Sequence, residues 1–433
     1  MERILAQAQK QAEAAEVFEI STEETEVHFE ANRLKQLHTN QSTNLALRII
    51  KKGRLGYATA AGSRIARELV AAAVETATFG TEAKFGLPGA QDYSKINIFD
   101  AKVFSVPIKD MVALGEAMIA AVTAHKPGIL CEAGISRGVV SVRLLNSAGG
   151  QAAYRKSFFS LSIEGTFIQG TDMLFVGDGD SSCRPLSDTK KITDVVLKQL
   201  DLARERAKAP TRSLPVIFTP YGVTALITPL MSAFNGKTVL EGASPLGDKV
   251  GKLVFDKNFN LRDDPIVSYR PSSRPCDDEG VPSRRTPLVS RGIVKGFLYD
   301  LQTAGLAGKK STGNGSRGRG SLPSPSPSAL VITPGKTTFD DMVADIKEGL
   351  VVEYLMGAEQ GNILGGDFSG NVLLGYKIEN GQIVGRVKDT MVAGNVYKIL
   401  KDIPAIGSES RWVMGSLNTP PIYCNNLSVS SKG

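Results

Sequence analysis

Histidine is scarce: the 433 residues contain three, His28, His38 and His125, all in the first third of the chain. Any mechanism that needs a histidine base or a multi-histidine metal site must draw on those three, and H-E-x-x-H is absent. Each of the three reads as a surface residue rather than a ligand. The four cysteines, Cys131, Cys183, Cys276 and Cys424, lie dozens of residues apart with no CxxC pair, which argues against a disulfide framework or a cysteine zinc ribbon and fits a reducing, cytoplasmic setting. No apolar run approaches the roughly 20 residues that span a bilayer, and Met1 to Glu16 is charged and Ala- and Gln-rich, so neither a membrane anchor nor secretion is expected. Phosphate-binding and nucleophile-elbow patterns are missing too. Met231 stands where a P-loop before Gly236-Lys237-Thr238 needs glycine, and Asn314 spoils the one near-match around Ser316.

What is present is ordinary globular material, with 42% hydrophobic residues and a length that fits two or three domains at roughly 150 residues each. Lys plus Arg (51) slightly exceeds Asp plus Glu (44). Much of that excess falls between Arg274 and Arg319, with nine basic and four acidic residues. Such a patch can attract a carboxylate, a phosphate or nucleic acid. No recognition helix, RRM-type signature or aromatic stacking run accompanies it, so nucleic acid is not an expected partner.

The periodicities predict an α+β protein: two small helix-covered antiparallel sheet units followed by a β-rich carboxy-terminal domain with a helix near its start. The expected domains are 1–90, 105–210 and 213–433. In the first, a helix through Ile4, Leu5, Ala8 and Ala12 precedes strands at Thr25–Glu30, Thr43–Ile50 and Arg54–Ala58, and a helix from Ile65 to Ala77 covers them. In the second, a helix entered at Pro107 leads to strands at Val139–Asn146, Tyr154–Phe167 and Met173–Val176, then to an amphipathic helix through Ile192, Val196 and Leu200. In the third, Thr219-Pro220 reads as an N-cap and first turn of a helix running to Asn235, and hairpins are marked at Arg291-Gly292 and Asn380-Gly381. The segment Gly313 to Pro327 reads as a long irregular loop.

The densest chemistry is Ser273 to Thr286, which combines three acids and three arginines with prolines and a glycine, and the Gly-rich stretch Lys310 to Gly320 after it. Exposed arginines and backbone amides can hold an extended peptide or its carboxylate, making Arg274, Asp277, Glu279, Arg284, Arg285, Asn314, Arg317 and Arg319 candidate peptide-binding residues. The competing use is two polar loops packed on each other by ion pairs. The acidic groups Asp263-Asp264, Asp277-Asp278-Glu279 and Asp178-Gly-Asp180 are expected to be solvated turn residues rather than a cation site.

These same residues carry a family likeness. The run R-P-x-D-x-E-G-V-P-x-R-R-T at Arg274–Thr286, K-S-T-G-N at Lys310–Asn314, Pro323–Leu330, Gly366–Ser369 and Ala393–Asn395 resemble the TldD/PmbA family, as do Glu30–Lys35 and Gly53–Tyr57 near the start. The resemblance implies one of two subunit types: a TldD-type metallopeptidase with an H-E-x-x-x-H helix and a later cysteine, or a TldE (PmbA) type without them. It implies that the two types associate and proteolyse or mature unfolded peptides; an older family name is modulator of DNA gyrase. Aligned by Gly236 and Gly247–Gly251, this chain places Thr228, Pro229 and Ala233 where His, Glu and His would stand. Thr and Ala offer no zinc ligand and Pro229 no base, while Cys424 reads as a structural strand residue.

The expectation is therefore a TldE/PmbA-type subunit that is not catalytic alone, needs no cofactor of its own, binds extended peptide for a TldD-type metallopeptidase subunit, and can form a homodimer when alone. Two other classes stay open at this point: a metallopeptidase with nonstandard ligands, and a DNA gyrase-associated regulator.

Overall fold

The computed structural model describes residues 1–61, 66–318 and 321–432. Ile65 and Arg319 lie outside them. Long alternating strands build the first half: β1 (Ala14–Glu30), β2 (Arg33–Lys51), β3 (Arg54–Ala61), β4 (Leu130–Asn146), β5 (Gln151–Gln169) and β6 (Asp172–Ser182). Two-residue turns join the first three. Ala31 and Asn32 both take positive φ (49° and 67°), as do Lys52 and Gly53 (50° and 70°), the backbone twist that such hairpins require. Asn32 is pinned there, its side chain donating to the Ile129 carbonyl (2.8 Å) and accepting from the Cys131 amide (2.7 Å).

The two sheet units are joined edge to edge. β1 pairs antiparallel with β4, Val17 opposite Leu145, so all six strands form one sheet in the order β3-β2-β1-β4-β5-β6. Helices cover one face. Over β1–β3 lie α1 (Glu2–Gln9) and α2 (Ala66–Ala77), burying Ile4, Ala8, Leu69 and Ala73 against Val17, Leu47 and Ile49. After the short helix α3 (Lys102–Ser105), α4 (Ile108–His125) and α5 (Lys190–Leu202) cover the rest, burying Met111, Met118 and Val196 against Phe29, Ile135, Leu161 and Ile163. Each such side chain removed from water is worth about 1.5–3 kcal/mol. At Gly115 the approach is too close for a side chain: a Cβ would stand 2.3 Å from the Phe29 ring.

The second half is built on an eight-stranded mixed sheet. The strand Arg212–Phe218 runs between Glu348–Met356, to which it is parallel, and Ile422–Ser431. Ile217, Val351, Leu374 and Tyr376 of this sheet share a core with α4 and α5, which brings the two halves together. The reverse face of the first sheet, with Phe18, Val142, Leu144 and Ala152, packs on Cys276 of a carboxy-terminal loop. Both marked hairpins occur, with positive φ at Arg291 and Gly292 and at Asn380 and Gly381.

The helix near the start of this half, α6, spans Thr224–Ala233 rather than starting at Pro220. Thr219 does not cap it. Its amide donates to the Val352 carbonyl (3.0 Å) and its hydroxyl to Glu353 (2.8 Å), so the residue continues the sheet, and turns carry the chain to Val223 before the helix begins.

Candidate functional site

The charged loop Ser273–Thr286 folds as a tight knot against the first sheet. Asp277 accepts from the amides of Glu279 and Val281 (both 2.9 Å) and of Gly315 (2.8 Å), which ties this loop to the Gly-rich one. Gly280 takes φ 75°, closing the turn. Glu279 is thereby directed at the reverse face of the sheet, where it accepts from Arg48 Nη1 (2.6 Å) and from the Leu301 amide (2.7 Å). Arg48 also donates to Glu16 (3.1 Å), and Glu16 accepts from Arg317. Arg317 further donates its amide to Asp278 Oδ2 (2.8 Å) and its Nε to the Asp278 carbonyl (3.1 Å). Arg274 pairs with Asp278 (3.2 Å).

Glu16, Arg48, Asp277 and Glu279 are all buried, at 0 to 2% exposure, and Arg317's side chain is 4% exposed. Removing ions from water costs several kcal/mol each unless they are fully paired, so a linked chain of alternating charges is the arrangement that can be tolerated there. Glu16, Asp277, Asp278 and Glu279 face Arg48, Arg274 and Arg317, one more acid than base. Burial pushes the Glu279 carboxyl up, to about 8, with Arg48 opposing and Asp277 adding to the rise. Burial likewise raises Asp277, against Arg274 and three backbone amides. Arg48 is held charged more firmly than usual, because Glu16 and Glu279 outweigh its own desolvation.

Of the predicted peptide contacts, Arg274, Asp277, Glu279 and Arg317 thus lie in this network. Asn314 is buried as well and donates to Asp263 (2.6 Å), whose other oxygen accepts from the Ser328 and Ala329 amides. Arg284 and Arg285 remain exposed, the first donating to the Ser311 carbonyl and the second to Asp264 (2.9 Å). Arg319 lies outside the described residues. The acidic groups are not the solvated turns expected. Asp178, Asp263, Asp264 and Asp277 are buried because each is an acceptor hub: Arg411 grips Asp178 through both oxygens at 2.7 Å, and Arg262 and Arg285 share Asp264. Sequence reasoning missed Glu16 and Arg48. The available signal was a single charge inside each apolar run, Ala15-Glu-Val-Phe18 and Leu47-Arg-Ile49.

The helix α6 does not fit the zinc ion that the resemblance associates with this position. Thr228 is exposed and donates its hydroxyl to the Thr224 carbonyl (3.1 Å), Pro229 is buried in the helix interior, and Ala233 is fully buried with only a methyl group to offer. Among the described residues no group of three or more His, Cys, Asp or Glu is placed to hold a metal ion. Cys424 lies in the strand Ile422–Ser431 opposite Val216, and burial raises its thiol far from the thiolate form a ligand or nucleophile needs. His38 lies 3.5 Å from Glu26 and His125 2.8 Å from Asp201, both at the surface.

Residues 211–431 match the PmbA/TldA metallopeptidase C-terminal domain, and residues 15–77 match the PmbA/TldA metallopeptidase domain 1. An uncharacterized protein of Methanocaldococcus jannaschii is 27% identical, with 98% of each chain covered. A metalloprotease of Methanothermobacter thermautotrophicus is 23% identical, with 95% of this chain and 92% of that one covered. The crystal structure of TldE from Thermococcus kodakarensis superposes with a TM-score of 0.91 over all of both chains, and at 24% identity that likeness shows the fold. No helix among the described residues is long and apolar enough to cross a membrane. The two domain matches, which between them take in both ends of the buried charge network, settle the kinship: the chain belongs to the TldD/PmbA family.

Proposed function

We propose that this chain is the TldE-type, non-catalytic subunit of a cytoplasmic peptidase complex, in which it helps hold an extended peptide for a TldD-type metallopeptidase subunit. The observation that carries this reading is α6: Thr228, Pro229 and Ala233 supply neither three zinc ligands nor a base, and hydrolysis at zinc needs both. A full-length fold likeness to a TldE supports the same assignment. In this reading the buried network sets the loops, and the exposed guanidiniums of Arg284 and Arg285 meet the peptide. Arg274, Asp277, Glu279, Asn314 and Arg317 act by fixing the loops that present them.

Co-expression with a TldD-type protein from the same genome tests the proposal. A stable complex whose peptidase activity needs both chains is the expected result. A TldD-type protein that is fully active alone and never retains this chain would contradict it.

A further inference from the structure

Beside the buried network is a cleft of about 460 Å³ whose lining includes Lys84, Phe85, Arg284, Lys309 and Lys310. Its walls come from both halves of the protein. Gln302, in the short helix Leu301–Leu306, donates to the Glu82 carbonyl (2.8 Å) and accepts from the Lys84 amide (3.0 Å), fixing one wall to the other. Gly305 permits that contact, since a Cβ there would stand 1.7 Å from the Lys84 carbonyl oxygen.

Among the described residues, four cations line this cleft and no acid does. Lys84 reaches out to the exposed Glu82 (2.6 Å), and Arg284 gives Nη2 to the Ser311 carbonyl. Among the described residues, no carboxylate lies within ion-pair distance of Arg284, Lys309 or Lys310, although the adjoining loops pair nearly every other charge they carry. Converging positive charges repel one another, and an entering anion relieves that repulsion. The same lining carries the partly exposed Phe85, Pro282 and Leu301. A small inorganic anion would leave those apolar groups uncovered, whereas a terminal amino acid covers them while its carboxylate meets the lysines.

We propose that this cleft receives the carboxy-terminal end of the peptide, with the terminal carboxylate held by Arg284, Lys309 and Lys310 and the last side chain on the apolar floor. The inference deepens the peptide-holding function proposed above and rests on it. Its test uses the full chain, a fluorescent unstructured peptide ending in leucine, and the same peptide with an amidated terminus.

Amidation is expected to weaken binding to the wild type about tenfold or more, the loss of one charge-assisted contact set. Lys309→Ala with Lys310→Ala should weaken the free-carboxylate peptide by a similar factor and leave the amidated one nearly unchanged. Both lysines are exposed, so the variant should retain the wild-type circular dichroism spectrum. Equal losses for the two peptides would overturn the inference while leaving peptide binding itself standing. Displacement of both peptides alike by inorganic phosphate would mark a general anion site and also overturn it. If neither peptide binds the wild type, the peptide-holding function fails together with it.

Discussion

Arg48, in the second strand of the amino-terminal sheet, donates to Glu279 at 2.6 Å across 231 positions of sequence. This contact fastens the most densely charged loop of the carboxy-terminal half onto the reverse face of the first sheet. Glu16 and Arg317 extend it, so the network holds the two walls beside which the proposed peptide cleft opens.

Arg48→Met should be strongly destabilising. It leaves Glu16 without one partner and removes from Glu279 the only guanidinium that pairs with it among the described residues, both carboxylates at 0% exposure, and breaking a buried pair from one side costs about 3–5 kcal/mol. The denaturant midpoint should fall accordingly. A midpoint within error of the wild type would mean that the pair does not hold the halves together.

Stability should depend on pH through Glu279. Its folded-state pKa is raised above the unfolded value, so between those values the native state binds more protons than the unfolded state, and stability falls as pH rises from about 4.5 to about 8. Glu279→Gln removes that titration, and its stability profile over the window should be flatter than the wild type. Denaturant midpoints measured at a series of pH values decide this, and parallel profiles would refute it.

The exposed and buried arginines should separate. Arg284→Ala should bind peptide tenfold or more weakly, at a charge-assisted contact worth about 1.5–3 kcal/mol, while melting near the wild-type temperature; Arg285→Ala should also weaken binding but melt lower, because it leaves the buried Asp264 with Arg262 alone. Arg317→Ala removes a partner of Glu16 and should instead lower the melting temperature. Thermal melts and peptide titrations on the same preparations check both. Unaltered binding in both the Arg284 and the Arg285 variant would place the peptide elsewhere.

Thr228→His with Pro229→Glu and Ala233→His should not create a peptidase. Ala233 is fully buried among Leu230, Phe234 and Phe255, so a histidine there overpacks the core by about 1–3 kcal/mol before any ligand forms. Lowered stability without chelator-sensitive cleavage is the expected outcome, measured by unfolding and a peptide-cleavage assay with added zinc.

How much of this could be read in the sequence depended on whether the signal was local. The Arg291-Gly292 and Asn380-Gly381 turns and the α4 and α5 periodicities sit in short windows, and the structure has them. Thr219 is a good cap locally and so points to a helix from Pro220, yet Val352 and Glu353, more than a hundred residues later, take its amide and hydroxyl, and α6 begins at Thr224. The charged loop was legible as a place and not as a role. Whether Asp277 or Glu279 faces solvent is decided by Arg48 and Gly315, and no spacing rule connects those positions. The pairing of β1 with β4, which joins the two sheet units, is hidden for the same reason.

The most direct measurement of the central claim is elemental zinc analysis of the purified chain together with a chelator-controlled assay on an unfolded peptide. Substoichiometric zinc and no cleavage by the chain alone, with cleavage appearing once a TldD-type subunit is added, is the result that follows from the absent ligand set on α6. Tightly bound zinc with chelator-sensitive cleavage by this chain alone would contradict it.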